Sequence, residues 1–229
     1  MKHWLPAALV SALTLVPMSA AAQTAAPSQA QQASSPSMNL WYVGANTGIA
    51  AVERVGGVFG AEAGARVWKN LDIVAELAWM QDVVTRRTLN NASTIANYLQ
   101  TTQGKTATSD VEVPAFYVGA GARWVFEKTS LGGFKPYAIV TFGSTHTNIK
   151  STFTLGGADV TNSLPQYGVT LGSDLAGTSN NFTVSPGLGV VRALKSSWYT
   201  DIGVRLVSIA TQDQQTNVVR LVLGGGYKF

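Results

Sequence analysis

The residues best suited to nucleophilic chemistry are His146 and Ser144, which lie two positions apart in the segment GSTHTN. A serine hydroxyl becomes a nucleophile when a histidine accepts its proton and an acidic group orients that histidine. No carboxylate lies at a matching motif spacing, so the sequence predicts no catalytic residues. We interpret His146 as a polar residue at an interface.

Metal and cofactor chemistry lack their usual residues. The chain has no cysteine and only two histidines, and its scattered carboxylates give no zinc-type ligand spacing. The glycine-containing segments GVFGAEAG and LGVVRALKS do not form a phosphate-binding loop. Basic residues are scattered rather than clustered, which argues against a nucleic-acid partner. We therefore predict no metal site, no cofactor and no enzymatic activity.

Charged residues alternate with apolar residues along much of the chain. In GAEAGARV, residues 60–67, Glu62 occupies an even position between apolar odd positions, and LDIVAELAW, residues 71–79, places Asp72 and Glu76 opposite a continuous apolar row. A period of two is typical of a strand with two different faces. The same pattern continues in residues 111–127, 198–208 and 219–229.

With the less regular segments 39–48, 135–148 and 181–194, the chain has eight such strands. The long connections are residues 82–110 and 149–180, and they alternate with five connections that are short or moderate. Membrane barrels have short periplasmic turns and longer outer loops, and an even strand count returns both chain ends to the periplasm. The sequence therefore predicts an all-β, eight-stranded, antiparallel, up-and-down transmembrane barrel. Because proline removes a ladder hydrogen bond, we expect a bulge or a register shift at Pro186.

Aromatic residues indicate which solvent the apolar face meets. Six large rings lie beside the short turns or at the chain end, and so at one height of the barrel: Trp68, Trp124, Phe126, Trp198, Tyr227 and Phe229. Amphipathic rings collect at membrane–water interfaces and form girdles around membrane barrels. A soluble sandwich has no reason to sort its tryptophans to one end. We therefore predict a periplasmic aromatic girdle and an apolar face turned to lipid.

The segment LGGGYKF ends the chain with apolar residues at alternating positions before Phe229. This ending, with Tyr227 and Phe229, resembles the signal by which the barrel-assembly machinery recognises outer-membrane barrels. Together with GAEAGAR, it makes residues 39–229 resemble the small eight-stranded outer-membrane barrels of the opacity-protein or porin-like superfamily. The resemblance implies outer-membrane lipids and the assembly machinery as partners of a monomer. It implies no single activity, because fold does not fix function.

An eight-stranded barrel is only wide enough for its own side chains. Burying charges singly is costly, so charges inside the barrel should pair across the lumen. The turn at residues 69–70 brings Glu62 and Glu76 together, and we predict that Arg205 and Arg220 reach across to them. The alternative is that these charges are solvated in a water-filled lumen. The predicted lumen charge network comprises Glu62, Glu76, Arg205, Arg220, Arg66, Arg123 and Asp201, with Tyr42, Asn46 and Tyr117 as polar fillers.

Residues 1–22 have the composition of a cleaved secretory signal, with Lys2, a short apolar region and small residues before Gln23. Residues 23–38 are small, polar and interrupted by proline, so we expect a flexible periplasmic lead-in before the barrel of residues 39–229. Charged residues make up 12% of the chain, half the usual ~25% of a soluble protein. We therefore predict export to the outer membrane of a Gram-negative-type bacterium.

The predicted function is structural or surface-interacting: a filled barrel supports outer loops that contact an unidentified surface ligand. Surface loops on a rigid scaffold commonly carry recognition, although polar shielding of the barrel rim is equally open. In these loops NASTIANYLQ could form one or two helical turns, Tyr167 and Leu171 are isolated apolar points, and THTNIKSTFTLG could extend strands above the membrane. A narrow porin-like channel for ions or very small solutes is the alternative. The third candidate function is that of a lipid-modifying enzyme, because some eight-stranded barrels that modify lipids carry a histidine and a serine near the outer rim.

Overall fold

The computed structural model describes residues 41–130, 132–195, 197–211 and 215–229. The predicted signal peptide and lead-in lie outside the described residues. Among the described residues no helix is long and apolar enough to cross a membrane. The elements are β1 Trp41–Ala51, β2 Val55–Trp68, β3 Leu71–Met80, α1 Arg86–Gln103, β4 Ala107–Glu112, β5 Ala115–Val125, β6 Lys135–Leu155, β7 Ala158–Asp159, a 3₁₀ helix Thr161–Tyr167, β8 Gly177–Lys195, β9 Trp198–Ala210 and β10 Gln215–Lys228.

Eight of these strands close into a barrel. Each pairs antiparallel with the next in the order β1, β2, β3, β5, β6, β8, β9 and β10, and β10 pairs back onto β1 from Tyr42 opposite Lys228 to Ala51 opposite Val219. Closure leaves no edge whose backbone groups would be unpaired in lipid. The short strands β4 and β7 pair only with the far end of β6, beyond the ring.

The two ends of the barrel differ in their connections. At one end, which we call the short-turn end, the strands are joined by residues 69–70, 126–134 and 196–197, and β1 begins and β10 ends there. At the opposite long-loop end, residues 52–54 and 211–214 make brief connections, whereas residues 81–114 and 156–176 are long. Both long connections therefore lie at one end, as predicted.

The expectation of a bulge or register shift at Pro186 is wrong. Pro186 lies opposite Val140 of β6, and the pairing of β8 with β9 resumes at Gly187 in the register that it has at Val184. Only residues 185 and 186 are skipped in that ladder, because proline has no N–H to donate. The register shifts of the barrel lie near two short turns, at Arg66/Trp68 and Ala193/Lys195.

The outward face of the barrel is apolar and open. Leu221 is 47% exposed and Leu188 is 66% exposed, which no soluble protein of this size would tolerate over a continuous surface. On β2, Phe59 and Trp68 lie nine residues apart, which spans about 23 Å at an ordinary strand rise and tilt. That height matches the apolar band of membrane barrels, about 25 Å. Other outward apolar residues are Val43, Ile49, Ile73, Leu77, Val118, Phe142, Ile202, Val204, Leu206, Val219 and Leu223.

Residues 81–114 and 149–176 fold into a cap at the long-loop end, where we expected polar loops. Helix α1 has 18 residues, about five turns, instead of the one or two turns predicted. The Thr85 side chain caps its start by accepting a hydrogen bond from the backbone N–H of Thr88, and Gly104 ends it in the left-handed conformation with φ 64°. One face of the helix is buried: Thr88, Ala92, Ala96 and Leu99.

The cap has an apolar core that continues into the upper lumen. Leu99, Val111 and Phe153 from the cap pack in one cluster with Met80 and Val207 from the barrel. Tyr167 and Leu171 also pack against this cluster, so their interpretation as isolated apolar points is wrong. The strands β6 and β8 do extend into the cap, as the segment THTNIKSTFTLG predicted.

Polar contacts fasten the cap to the barrel rim. The Asp82 carboxylate accepts hydrogen bonds from the backbone N–H groups of Val84 at 3.0 Å and Val113 at 3.1 Å. This one side chain therefore holds both ends of the long connection between β3 and β5. Arg54 and Glu53 at the rim also bind the cap, Arg54 through Asp110 at 3.2 Å and Glu53 through Arg86 at 2.9 Å. Within the cap, Asn91 donates to Asp174 at 2.7 Å.

Candidate functional site

The lumen contains two pairs of like charges at mid-barrel. Glu62 of β2 lies directly opposite Glu76 of β3, and Arg205 of β9 lies directly opposite Arg220 of β10. Like charges in such positions repel each other. Only β1 separates the two hairpins in the ring, and its residues opposite the charges are small: Gly44 lies opposite Glu62, and Ala50 lies opposite Arg220.

Glu62 is the centre of a chain of ion pairs. Its two carboxylate oxygens lie 2.8 Å from Arg123 Nη1 and 3.3 Å from Arg205 Nη2, and it also accepts a 2.9 Å hydrogen bond from the Tyr42 hydroxyl. Arg123 continues the chain by binding Asp72 Oδ2 through Nη2 at 3.1 Å and Nε at 3.2 Å. This two-point contact fixes the guanidinium plane.

The chain ends at the short-turn end of the lumen. Arg66 donates through Nε to Asp72, and its Nη1 lies 3.1 Å from Glu127 Oε1. The charges thus alternate in sign from Glu127 through Arg66, Asp72, Arg123 and Glu62 to Arg205.

Glu76 and Arg220 form a separate buried pair. Their Oε1 and Nη2 atoms are 2.6 Å apart, and the two side chains are 3% and 0% exposed. The Thr141 hydroxyl donates to the second oxygen of Glu76 at 3.4 Å, and Ser185 lies 3.5 Å from Arg220 Nη2. A pair this deeply buried is strongly destabilised if either partner is removed.

Asp201 is placed inside but has no arginine within ion-pair distance among the described residues. It accepts a 2.8 Å hydrogen bond from the Tyr137 hydroxyl instead. Asp72, which the network prediction left out, is a central member. The sequence indicated this position, because Asp72 shares a face with Glu76 in the alternating pattern of β3. With Asp72, the described part of the lumen holds four acids and four arginines: Glu62, Asp72, Glu76, Asp201, Arg66, Arg123, Arg205 and Arg220.

Tyrosine rings fill the space between the arginines. The Arg123 guanidinium lies 4.3 Å from the centre of the Tyr42 ring, and Arg220 lies 5.7 Å from that of Tyr117, distances typical of cation–π contacts. The Tyr42 ring lies directly over Gly64, where any side chain would collide with it. Tyr137 and Tyr199 also face the lumen, and the prediction of polar fillers missed both.

The packed lumen leaves little free volume. A cavity of about 20 Å³ remains beside Glu62, Glu76, Asp201 and Arg205, which is room for one or two water molecules. Five buried polar side-chain atoms have no hydrogen-bond partner within the part of the chain that the structure describes: Asp201 Oδ2, the Nε and Nη1 atoms of Arg205, and the Nε and Nη1 atoms of Arg220. Because an arginine has five N–H donors, these atoms are suited to binding buried water.

The six rings predicted as a girdle are exposed at the short-turn end. Trp68 is 71% exposed and Phe229 is 62% exposed. Trp198, Tyr227 and Phe229 stack edge to face, with ring centres 5.4 and 5.3 Å apart. The last strand is anchored as well, since the backbone N–H of Phe229 donates to Trp41 at 2.9 Å.

His146 faces outward near the long-loop end. Its Nδ1 atom lies 2.9 Å from the amide oxygen of Asn180, and Phe116 is its neighbour on β5. Ser144 lies two residues along the same face. Among the described residues no carboxylate hydrogen-bonds to His146, so the third group of a catalytic triad does not meet it here. No cluster of three or more potential metal ligands occurs among the described residues.

A second cavity, of about 80 Å³, lies between the cap and the upper barrel. Its wall combines the hydroxyl groups of Thr88, Thr147 and Ser179 with apolar side chains such as Val113 and Ile209. The Thr147 and Ser179 hydroxyls hydrogen-bond each other at 2.8 Å. This cavity is therefore a mixed polar and apolar recess that the sequence gave no reason to expect.

Comparison with solved structures identifies the architecture. The chain is similar to Neisserial surface protein A, NspA, with 16% identity and a TM-score of 0.51 over 82% of this chain and 97% of that chain. It also aligns with the attachment invasion locus protein Ail of Yersinia pestis, with 12% identity and a TM-score of 0.44 over 83% and 97%. The N-terminal β-barrel domain of Pseudomonas aeruginosa OprF aligns with 15% identity and a TM-score of 0.43 over 82% and 97%.

The likeness to NspA, together with the closed ring of strands, shows the fold of the small eight-stranded outer-membrane β-barrels. The fold class predicted from the sequence is confirmed. No protein-family model matches the chain, and no curated protein does.

Proposed function

We propose that the protein is a monomeric, non-enzymatic component of the outer membrane, whose sealed barrel holds a folded cap at the cell surface. The cap serves a structural or surface-interaction role. The observation that carries this proposal is the paired lumen, in which charges of opposite sign meet across the barrel axis and the cavity beside them measures about 20 Å³.

The membrane location is supported by the reversal of the usual burial pattern. Apolar side chains such as Leu221 and Val204 are exposed, while Arg220 and Glu76 are buried. In water this arrangement would be strongly unfavourable, but it suits a barrel surrounded by lipid. The predicted signal peptide supports the same location, as do the exposed rings at the short-turn end and the LGGGYKF ending, which we assign to the periplasmic girdle and the assembly signal.

The cap is the part that we assign to surface contacts. It holds α1, β4, β7 and the 3₁₀ helix on its own apolar core, and it is fastened by Asp82 and by surface ion pairs. A rigid platform of this kind loses little conformational entropy on binding a partner. Its exposed surface is rich in Thr, Asn and Gln, so it favours a polar ligand.

Two Gly-Gly turns allow a direct test of orientation. Gly156 and Gly157 form the tip between β6 and β7, and Gly132 and Gly133 lie in the connection between β5 and β6 at the opposite end. We expect an epitope inserted at 156/157 to bind antibody on intact cells. The matched insertion at 132/133 should bind only after the outer membrane is permeabilised. The reverse labelling would overturn the proposed orientation.

The sealed lumen is tested by conductance. Refolded protein, shown to be a closed barrel by its altered gel mobility before boiling, should give no steady openings in planar bilayers. Regular ohmic steps from the folded protein would contradict the sealed barrel.

A narrow passive channel is the second candidate, and the unpartnered N–H donors of Arg205 and Arg220 beside the small cavity favour it. Such donors could pass water or a small ion if the network rearranged. Under this alternative the wild-type protein conducts, and its conductance changes with Arg205→Lys. If neither the wild-type protein nor the Arg205→Lys variant conducts, the result supports the sealed barrel.

A further inference from the structure

Four exposed cations lie at the short-turn end of the barrel. Lys69 follows Trp68 in the turn between β2 and β3, Lys128 lies in the connection between β5 and β6, Lys135 begins β6, and Arg192 lies near the end of β8. They are therefore distributed over all three turns of this end. Among the described residues none of the four has a carboxylate within ion-pair distance.

Carboxylates are scarce at the same end. Glu127 is the one acidic side chain in the described parts of the three short turns, and its Oε1 atom is engaged with Arg66 at 3.1 Å. The four cations therefore leave this rim with an uncompensated positive charge.

The cap end differs in its supply of carboxylates. It also has exposed cations outside any ion pair, such as Arg87 and Lys105, but Arg54 binds Asp110 at 3.2 Å and Arg86 binds Glu53 at 2.9 Å. At the short-turn end Arg66 takes up the one acidic side chain of the turns, and the four exposed cations have no carboxylate partner among the described residues. The positive charge of that rim is thus available to something outside the chain.

The position of the four cations points to the depth of lipid phosphates. Lys69 directly follows Trp68, Lys128 lies two residues after Phe126, and Arg192 lies opposite Thr200, two residues from Trp198. These exposed aromatic residues form a ring of the kind that marks the level of the headgroups. The Arg192 guanidinium lies 5.2 Å from the ring centre of Phe134. Lysine and arginine with an apolar stem beside aromatic rings place their charged ends among headgroups.

We infer that Lys69, Lys128, Lys135 and Arg192 form a binding belt for the headgroups of anionic phospholipids in the membrane leaflet at the short-turn end. This inference rests on the proposed membrane location. An anionic headgroup carries a net negative charge that a zwitterionic one lacks. Each contact with a cation of the belt therefore raises the association constant of the anionic lipid by about fivefold. The belt would therefore bind anionic phospholipids in preference to zwitterionic ones.

Tryptophan fluorescence offers the test. Trp41, Trp68, Trp124 and Trp198 lie at the short-turn end, so replacing Trp4 and Trp79 by phenylalanine leaves tryptophans at that end only. Quenching is measured in vesicles that mix brominated and ordinary lipid, once for phosphatidylglycerol in phosphatidylcholine and once for the reverse labelling. We expect phosphatidylglycerol to be preferred by about two- to fivefold at low salt, and less at high salt.

Substitutions test whether these four side chains cause the preference for phosphatidylglycerol. In Lys69→Gln/Lys128→Gln/Lys135→Gln/Arg192→Gln the association constants of the two lipids should become equal. The matched control is Arg87→Gln/Lys105→Gln, which removes exposed cations of the cap and should retain the preference. Equal quenching by both lipids in the wild-type protein would overturn the inference and leave an acidic water-soluble polymer as the partner of the rim.

Gel mobility separates this result from the proposed function. A protein that fails to form a heat-modifiable barrel in either lipid would contradict the membrane location itself. A folded barrel without lipid preference contradicts only the belt.

Discussion

The lumen and the cap are both buried, but they are stabilised by opposite chemistry. The strand β6 passes through both regions and shows the difference: Phe142 points outward and is 50% exposed, whereas Phe153, farther along the same strand, is 0% exposed within the cap. Where lipid surrounds the barrel, apolar side chains are favourable outside, and the middle of the interior holds ion pairs and tyrosines between apolar clusters. Above the lipid, water surrounds the protein, so apolar side chains are favourable in the interior.

The largest expected effect comes from breaking the buried pair in the lumen. Arg220→Ala leaves Glu76 buried without its cation, and we expect the free energy of unfolding to fall by about 3–5 kcal/mol. Urea unfolding in vesicles, followed by gel mobility, measures it. Arg87→Ala on the exposed face of the cap is the control and should change stability by less than about 0.5 kcal/mol. If Arg220→Ala does not fold, Arg220→Lys, which keeps the charge, should restore folding; failure of both would contradict a purely ionic role.

Breaking the apolar core of the cap should have a comparable but local effect. Leu99→Ala removes a buried side chain of α1 and should destabilise the cap by about 2–5 kcal/mol. We expect faster proteolysis within residues 81–114 while the barrel keeps its gel mobility. Tyr98→Ala, on the exposed side of the same helix, should leave proteolysis unchanged. An equal loss of barrel stability would show that lumen and cap unfold as one unit.

A double-mutant cycle compares ion pairs in the two regions. We expect Glu62→Gln and Arg205→Met to show a coupling energy of about 0.5–3 kcal/mol, because the pair is buried and shares hydrogen bonds. The exposed pair Glu53 and Arg86 should show only about 0.2–1 kcal/mol. Equal coupling in both cycles would mean that the lumen is as solvated as the surface, which is the water-filled alternative.

The smallest effect concerns pH and the cap alone. Hydrogen bonds from the Thr161 side chain and backbone lower the pKa of the exposed Asp159 carboxyl. A carboxyl whose pKa is lower in the folded state stabilises that state above its ordinary pKa and loses this contribution as the pH falls through the folded value. The amide resonance of Thr161 should therefore titrate below the ordinary aspartate range, about pH 3.9. Asp159→Asn should abolish the titration, and a midpoint at or above the ordinary value would contradict the contact.

Sequence reasoning succeeded where one period governs a whole element. The strict alternation in β3 and β10 predicts which residues face lipid, and the barrel follows from eight such segments. Pro186 misled the prediction, because a closed ladder can omit one bond without changing its register. The long helix was missed because Asn and Thr in RRTLNNASTIANYLQTTQ have weak helix propensity, and its stability comes from packing onto β4 and the rest of the cap. Tyr167 and Leu171 likewise have partners that only the folded cap brings near.

The arrangement of like charges on neighbouring strands also constrains the order of assembly. A hairpin of β2 and β3 alone would carry Glu62 beside Glu76 into the bilayer, and a hairpin of β9 and β10 would carry Arg205 beside Arg220. Arg123 of β5 can reach Glu62 within one half of the sheet, but Glu76 meets Arg220, and Glu62 meets Arg205, only when the seam between β1 and β10 closes. Closing the cylinder is therefore also the step at which these two ion pairs form, and we expect an open sheet to hold Glu76 and Arg220 without their partners.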